Sequence, residues 1–169
     1  LIRFATNDYL TLPNGTIPYG NAPYSFFVIA KTDAFCTCGL FGSGTYGTTN
    51  ATNALRYTTD GNIRHYWWGN DLDTTTAPII TNRLHLISVT YSDTLGRKAY
   101  VNGTLLVTNS SLARNSTALN NTIGVTNTTE YLTGYIGEII IFNRALKNEE
   151  RQAVENYLGK KFNIATPVL

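Results

Sequence analysis

The chain of 169 residues contains no methionine, only two cysteines and only 14% charged residues. Because methionine is absent, we expect the sequence to be a piece of a larger, modular protein or a product processed from one. Its hydrophobic fraction of 43% is enough to build a core without the disulfide framework of very small domains. These numbers predict a single domain that covers residues 1–169.

Low charge and short apolar runs exclude two further classes of protein. The net charge is +2, and the lysines and arginines are scattered apart from Lys160-Lys161. We therefore expect no nucleic-acid partner. The apolar runs, such as residues 26–30 and 139–142, are far shorter than the roughly 18 residues that a membrane helix needs. We expect no membrane insertion.

The two cysteines stand one residue apart, in the order F-C-T-C-G. On a strand, Cys36 and Cys38 would point to the same face, and a bridge between them is geometrically awkward. The sequence therefore favours two free thiols, with a strained bridge or a metal contact as the alternatives. His65 and His85 lie far away without ligand spacing, which argues against metal binding by this group.

What the sequence does contain is the pattern of antiparallel strands. Asn102-Gly103 predicts a type I′ turn between two apolar strands in residues 97–107, with the Asn102 side chain in solvent. Residues 24–31 form a nearly continuous apolar run, which is typical of a strand buried between two sheets. Residues 1–13 are predicted to form one outer strand, and residues 108–121 a long surface loop.

Two segments near the C-terminus are also informative. In residues 135–142, Ile136, Ile140 and Phe142 are predicted on one face of a strand, and Tyr135, Ile139 and Ile141 on the other. From Asn148, the predicted N-cap, the apolar residues recur with a period of 3.6, which predicts a helix. An apolar stripe is predicted at Ala153, Val154, Tyr157 and Leu158.

The order of these motifs resembles a known family. Tyr100-Val101-Asn102-Gly103, then Ile123-Gly124, then G-Y-I-G-E-I-I-I-F-N-R-A-L over residues 134–146 are similar to the C-terminal half of laminin-G-like, concanavalin A-like lectin/glucanase jelly rolls. The resemblance implies an all-β fold, an antiparallel two-sheet β-sandwich (jelly roll) with one short C-terminal α-helix. It does not identify a ligand.

Motifs for catalysis are missing. Glucanases of this architecture use paired carboxylates on one strand, typically E-x-D-x-x-E, because retaining hydrolysis needs an acid and a nucleophile about 5 Å apart. No such motif occurs, and Glu138 matches a position that is general in non-catalytic members of the resembled family. The glycines of residues 39–47 are typical of turns and do not open a helix, which argues against a phosphate loop. We predict that the chain is not an enzyme.

The strongest candidate site is H-Y-W-W-G-N-D-L-D, residues 65–73. Strand alternation leaves only one of the pairs Tyr66/Trp68 and His65/Trp67 for a ligand. Aromatic rings beside amides and carboxylates suit sugar recognition. The alternative is that the aromatics pack between the sheets and Asn70-Asp71 closes a turn. The predicted ligand-binding residues are Tyr66, Trp67, Trp68, Asn70 and Asp71.

Calcium is a second hypothesis for the same loop. Asn70, Asp71 and Asp73 would supply three of the six or more oxygen ligands that calcium takes. The remaining ligands would have to come from elsewhere, so no cofactor is required by the sequence.

Seven Asn-x-Ser/Thr sequons are candidate glycosylation sites, and we assign all of them to turns or loops. Their acceptors are Asn14, Asn50, Asn102, Asn109, Asn115, Asn120 and Asn127.

Together these features predict a non-catalytic recognition module that binds carbohydrate through the concave sheet and the Trp67/Trp68 region. It would belong to an exported or virion-surface protein, outside the cell or on the virion. The alternative is a structural or assembly domain of a capsid or fibre, whose partners are neighbouring protein subunits.

Overall fold

Two antiparallel sheets of six strands each pack face to face in the computed structural model, which describes residues 1–167. The first sheet has the spatial order β1 (Ile2–Phe4), β14 (Gly134–Phe142), β3 (Tyr24–Thr32), β8 (His85–Ser92), β9 (Gly96–Val101), β10 (Thr104–Asn109). The second has the order β2 (Leu10–Thr11), β11 (Thr122–Ile123), β4 (Cys38–Gly42), β5 (Ala54–Tyr57), β6 (Ile63–Tyr66), β7 (Leu72–Asp73). A hairpin of β12 (Val125–Thr126) and β13 (Glu130–Tyr131) and one helix, α1 (Asn148–Phe162), complete the fold. The predicted fold class is confirmed.

The central strand β3 is buried on both faces, as its apolar run predicts. Phe26 and Val28 point into the core between the sheets, whereas Phe27 and Ile29 point outwards, toward α1. Because a strand with two covered faces needs no polar side, continuous hydrophobicity replaces alternation here.

The β9–β10 hairpin has the predicted two-residue turn, with φ of 50° at Asn102 and 79° at Gly103. The side chain of Asn102 does not point into solvent, so that part of the prediction is wrong. Its Oδ1 accepts the backbone N–H of Leu86 at 3.0 Å, while its own N–H donates to the Leu86 carbonyl at 2.7 Å. The turn is thereby fixed to the start of β8.

The helix α1 lies on the outer face of the first sheet, but its boundary and buried stripe differ from the prediction. Lys147, not Asn148, is the N-cap, and its backbone N–H donates to Glu150 at 2.8 Å. Tyr157 is 55% exposed, whereas Leu158 is fully buried. Arg151 and Glu155 pair beneath the helix, with the Arg151 guanidinium 3.9 Å from the Tyr100 ring centroid. Within residues 1–167 no helix is long and apolar enough to cross a membrane.

Two strand predictions are wrong because the backbone is irregular at the positions concerned. A β-bulge between Ile136 and Glu138 puts Ile139 and Ile141 on the same side as Ile136. Residues 1–13 do not form one strand: β1 joins the first sheet and β2 the second, with positive φ at Thr6 and Asn7 between them.

Cys36 and Cys38 form a disulfide, which corrects the prediction of free thiols. Strand β4 begins only at Cys38, so Cys36 lies in the bent segment before it. The bend brings the two Cα atoms to 5.3 Å, near the commonest separation across a bridge, whereas two extended residues would span about 6.6 Å, near the upper limit of the usual range.

The segment of residues 110–121 is not only a surface loop, because it inserts Arg114 into the interior. The Arg114 side chain is almost fully buried and donates to the carbonyl of Pro18 at 2.9 Å and to that of Ala22 at 2.5 Å. Its guanidinium also lies 4.9 Å from the ring centroid of Tyr24. This one side chain ties the loop to a segment more than ninety residues away in sequence.

Candidate functional site

The outer face of the second sheet carries polar and aromatic side chains. Alternation along β5 and β6 sends Leu55, Tyr57, Ile63 and His65 into the core, and sends Arg56, Arg64 and Tyr66 outwards. Arg56 donates to Glu130 at 2.6 Å, and its guanidinium lies 4.0 Å from the Tyr66 ring centroid. Within residues 1–167, the one helix packs on the other sheet, so this face is left without a helical cover.

The β12–β13 hairpin lies across this outer face, directly over β4. Gly39 permits the close approach, since a Cβ there would lie well inside 3.0 Å of the Thr126 backbone nitrogen. Gly42 likewise leaves room for the hydroxyl of Tyr46. These two glycines allow close packing against a strand, whereas their sequence pattern predicts turns.

Between the hairpin and the edge of the sheet at β2 and β11 lies a cleft of about 360 Å³, which we call the tyrosine cleft. Tyrosine, asparagine and threonine dominate its wall. The lining residues are Tyr9, Thr11, Leu12, Asn14, Tyr46, Asn120, Asn121, Thr122, Val125, Thr128 and Tyr131.

Three tyrosine rings define the shape of the cleft. The rings of Tyr9 and Tyr131 have centroids 6.0 Å apart and planes inclined by 52°, and Tyr9 is 49% exposed. Tyr46 is half-buried, and its ring contacts those of Tyr66 at 6.3 Å and Trp68 at 6.4 Å. The cleft is therefore continuous with part of the aromatic cluster that the sequence had singled out.

The phenols of Tyr46, in the cleft, and of Tyr66, beside it, are neutral groups. Burial raises the pKa of Tyr46, and burial likewise raises the pKa of Tyr66 to about 12. Both therefore keep their protons at neutral pH and can donate as well as accept.

The structure separates the predicted aromatic residues into two groups. Trp67 is fully buried in the core: its indole N–H donates to the Tyr24 hydroxyl at 3.2 Å, and the Arg97 guanidinium lies 3.5 Å from its ring centroid. Tyr66 and Trp68 lie on the outer face with ring centroids 5.4 Å apart, and Tyr66 is buried whereas Trp68 is half-buried. Of the predicted aromatics, Trp68 is thus the one that solvent reaches.

Asn70 and Asp71 hold the turn that follows β6. Asp71 Oδ1 accepts the backbone N–H groups of Trp67 and Trp68, both at 3.0 Å. The Asn70 carbonyl accepts from Arg97 at 2.5 Å, and its side-chain amide donates to Asn50 and Ser111. This geometry fits the alternative given above, in which Asn70 and Asp71 close a turn.

The carboxylates assigned to calcium face an arginine. Arg64 donates to Asp73 at 2.7 and 2.5 Å, and its Nη1 lies 3.4 Å from Asp71 Oδ2. Among the described residues there is no group of three or more His, Cys, Asp or Glu that could hold a metal ion. Calcium binding by Asn70, Asp71 and Asp73 stays a prediction, and it would require Arg64 to move.

The sequon asparagines differ in their surroundings. Six lie in turns or loops as expected, but Asn109 is the last residue of β10. Asn14 and Asn120 line the tyrosine cleft. Asn14, Asn115 and Asn120 are exposed, and the Asn120 amide donates to the Gly44 carbonyl at 2.9 Å. Asn50, Asn102 and Asn127 are half-buried. Their use as glycosylation sites stays a prediction.

Sequence reasoning missed most of the cleft. Tyr9, Tyr46 and Tyr131 stand far apart in the chain, and each follows or precedes ordinary turn residues. The one available signal was the abundance of tyrosine, 11 residues in all, some of which lie outside the strands that build the core.

Comparisons with known proteins agree with this architecture. Residues 4–150 match the family described as the concanavalin A-like lectin/glucanases superfamily. The chain therefore belongs to this family, and the resemblance of its motifs is confirmed. A comparison with curated protein sequences finds no match.

Several solved structures share the fold at low sequence identity. An inferred carbohydrate-binding protein from Bacteroides ovatus is 18% identical with a TM-score of 0.68, over 87% of this chain and 44% of that one. Domain 4 of AbnA, an extracellular arabinanase from Geobacillus stearothermophilus solved with arabinotriose, is 20% identical with a TM-score of 0.64, over 85% and 70%. A heptameric SAP-like pentraxin from Limulus polyphemus is 16% identical with a TM-score of 0.62, over 90% and 80%. The chain spans less than half the length of the first of these.

Proposed function

We propose that the chain is a non-catalytic carbohydrate-recognition module and that the tyrosine cleft is its binding site. The observation that carries the proposal is the meeting of three tyrosine rings with amide and hydroxyl side chains in one open cleft. Sugar rings present C–H faces that stack on aromatic rings, and their hydroxyls pair with amides and hydroxyls. Both kinds of group are present within one wall.

The structural relatives support the class of ligand without identifying it. At 16–20% identity they share the fold alone. Within this fold, domain 4 of AbnA was solved with arabinotriose, so the architecture is compatible with carbohydrate binding. The specific residues of the proposal come from the cleft of this chain.

A role in recognition is favoured over hydrolysis by the arrangement of the carboxylates. Retaining hydrolysis needs an acid and a nucleophile that flank a bound sugar. Asp71 and Asp73 come close together, but both face the Arg64 guanidinium and form an ion-pair cluster. The tyrosine cleft itself is lined by no carboxylate.

We also propose that the domain works outside the cell or on a virion surface. The Cys36–Cys38 disulfide supports this location, because disulfides persist in oxidising compartments.

Substitution of the cleft tyrosines tests the proposal. We expect Tyr9→Ala and Tyr131→Ala each to weaken binding to a glycan identified on an array by about 3- to 10-fold, since one stacked aromatic contributes roughly 0.5–1.5 kcal/mol. Titration calorimetry would measure the change. Tyr19→Ala is the matched control, because Tyr19 is 52% exposed but lies outside the cleft.

Two results would count against the proposal. Equal weakening by Tyr19→Ala would show that the cleft is not the site. No retention of the unmodified protein on any glycan would favour the alternative of an assembly domain that contacts protein neighbours.

A further inference from the structure

The tyrosine cleft has a chemical property that its shape alone does not reveal. None of its eleven lining residues is Asp, Glu, Lys, Arg or His. The wall can stack on rings and exchange hydrogen bonds, but it offers no formal charge to a ligand.

The charged residues next to the cleft in sequence are directed to other partners. Glu130 precedes Tyr131, and its carboxylate accepts from Arg56 at 2.6 Å and from the Thr126 hydroxyl at 2.6 Å. Asp8 precedes Tyr9, and it accepts the backbone N–H of Ala5 at 2.9 Å. Neither carboxylate is among the groups that line the cleft, and Arg56 is already neutralised by Glu130.

An anionic ligand group would therefore lose part of its hydration in the cleft without gaining a counter-charge. Recognition of carboxylates, sulfates and phosphates relies on arginine or lysine, often in bidentate pairs. Burial of a charge without a partner is strongly unfavourable, whereas a neutral hydroxyl needs only the amide and hydroxyl partners present here.

From this arrangement we infer that the ligand of the tyrosine cleft is a saccharide without acidic groups such as uronate, sialate or sulfate. The inference rests on the proposed carbohydrate-binding function. The volume of about 360 Å³ is at the low end for small-ligand pockets, which favours a short glycan segment.

A pair of neutral and acidic ligands tests the inference. Oligogalactose and oligogalacturonate have the same ring size and differ by a carboxylate, and each would be titrated at low and high salt alongside a wider array of neutral and acidic glycans. We expect the bound ligands to be neutral, with affinity unchanged by salt, because no charge pair would be screened. Stronger binding of acidic glycans, or binding that salt weakens, would overturn the inference and leave the proposed function standing. Failure of every glycan to bind would overturn both.

A substitution that adds a charge provides an independent test. Asn14→Arg puts a guanidinium at the exposed rim of the cleft, and we expect at least a tenfold gain for acidic glycans together with a new dependence on salt. Asn115→Arg is the matched control, because it adds the same charge at an exposed asparagine outside the cleft. If Asn14→Arg leaves acidic glycans unbound while neutral binding persists, charge is not what selects the ligand and the inference fails.

Discussion

The two outer faces of the sandwich differ in what covers them. On the first sheet, Phe27, Ile29 and Leu86 are sealed beneath Leu158 and its neighbours on α1. On the second sheet, Arg56, Arg64 and Tyr66 face outwards, and the short β12–β13 hairpin packs over β4 and pairs its Glu130 with Arg56. One face serves stability, and the other is available for a ligand.

The difference is visible in the residue patterns of the strands. β3 is apolar at consecutive positions because both of its faces are covered, whereas β5 and β6 each place an arginine, Arg56 or Arg64, on the outer face of the second sheet. These arginines mark the face on which α1 does not pack. The tyrosine cleft lies at the edge of that sheet.

The largest expected effect is a difference in the free energy of unfolding between variants on the two outer faces. Phe27→Ala should lower the free energy of unfolding by about 3–5 kcal/mol, because it removes a fully buried ring that contacts Phe142. Tyr131→Ala should lower it by less than about 1 kcal/mol, since Tyr131 is only half-buried. Urea denaturation measures both values.

Glycan affinity should show the opposite order. If Phe27→Ala does not fold, Phe27→Leu is a milder variant for this measurement. We expect Phe27→Leu to bind glycan like the unmodified chain and Tyr131→Ala to bind it more weakly. A parallel loss of affinity in both variants would mean that the two faces are energetically coupled.

An intermediate effect concerns His65, between the sheets. Burial, together with Arg97 and Arg114, holds the pKa of His65 well below 6.5. The unfolded chain then binds a proton that the folded chain excludes, so stability is complete above pH 6.5 and is lost as the pH falls toward the folded pKa. The expected loss is about 1.4 kcal/mol per pH unit.

Unfolding free energies measured from about pH 7 down to about pH 5 would give this slope. His65→Gln should make it shallower, although His85, whose pKa burial also lowers, contributes in the same direction. An identical slope in the His65→Gln variant would contradict the assignment.

The smallest effect is expected at the start of α1. Hydrogen bonds from Arg144 and from the Lys147 backbone lower the pKa of Glu150 to about 2, from 4.5. Because the folded pKa is the lower one, the contribution is present above pH 4.5 and is lost as the pH falls toward 2. The thermal midpoints of the unmodified chain and of Glu150→Gln should differ at neutral pH and converge on acidification. A pH-independent difference would show that the carboxylate charge is not responsible.

The elements that depend on local pattern could be predicted from the sequence. The Asn102-Gly103 turn, the buried run of β3 and the C-terminal helix follow from neighbouring residues. Errors arose where one residue alters the phase, as at the bulge between Ile136 and Glu138, or where a bend replaces a strand, as at Cys36.

The site could be predicted only in part, because it is assembled from distant segments. The aromatic cluster was found, but alternation alone could not decide that Trp67 faces the core and Trp68 solvent. Tyr9, Tyr46 and Tyr131 meet only after β2 and the β12–β13 hairpin take their places on the sheet. Arg114 could not be predicted either, because the composition of its segment is typical of a surface loop although the Arg114 side chain is buried.

The absence of a side chain at Gly39 has a consequence for mutational tolerance. A single methyl group there would collide with the Thr126 backbone and push the β12–β13 hairpin away from β4. Tyr131, one wall of the cleft, belongs to that hairpin. A position that does not line the cleft therefore fixes the place of one of its walls, so a substitution at Gly39 would disturb the cleft from outside it.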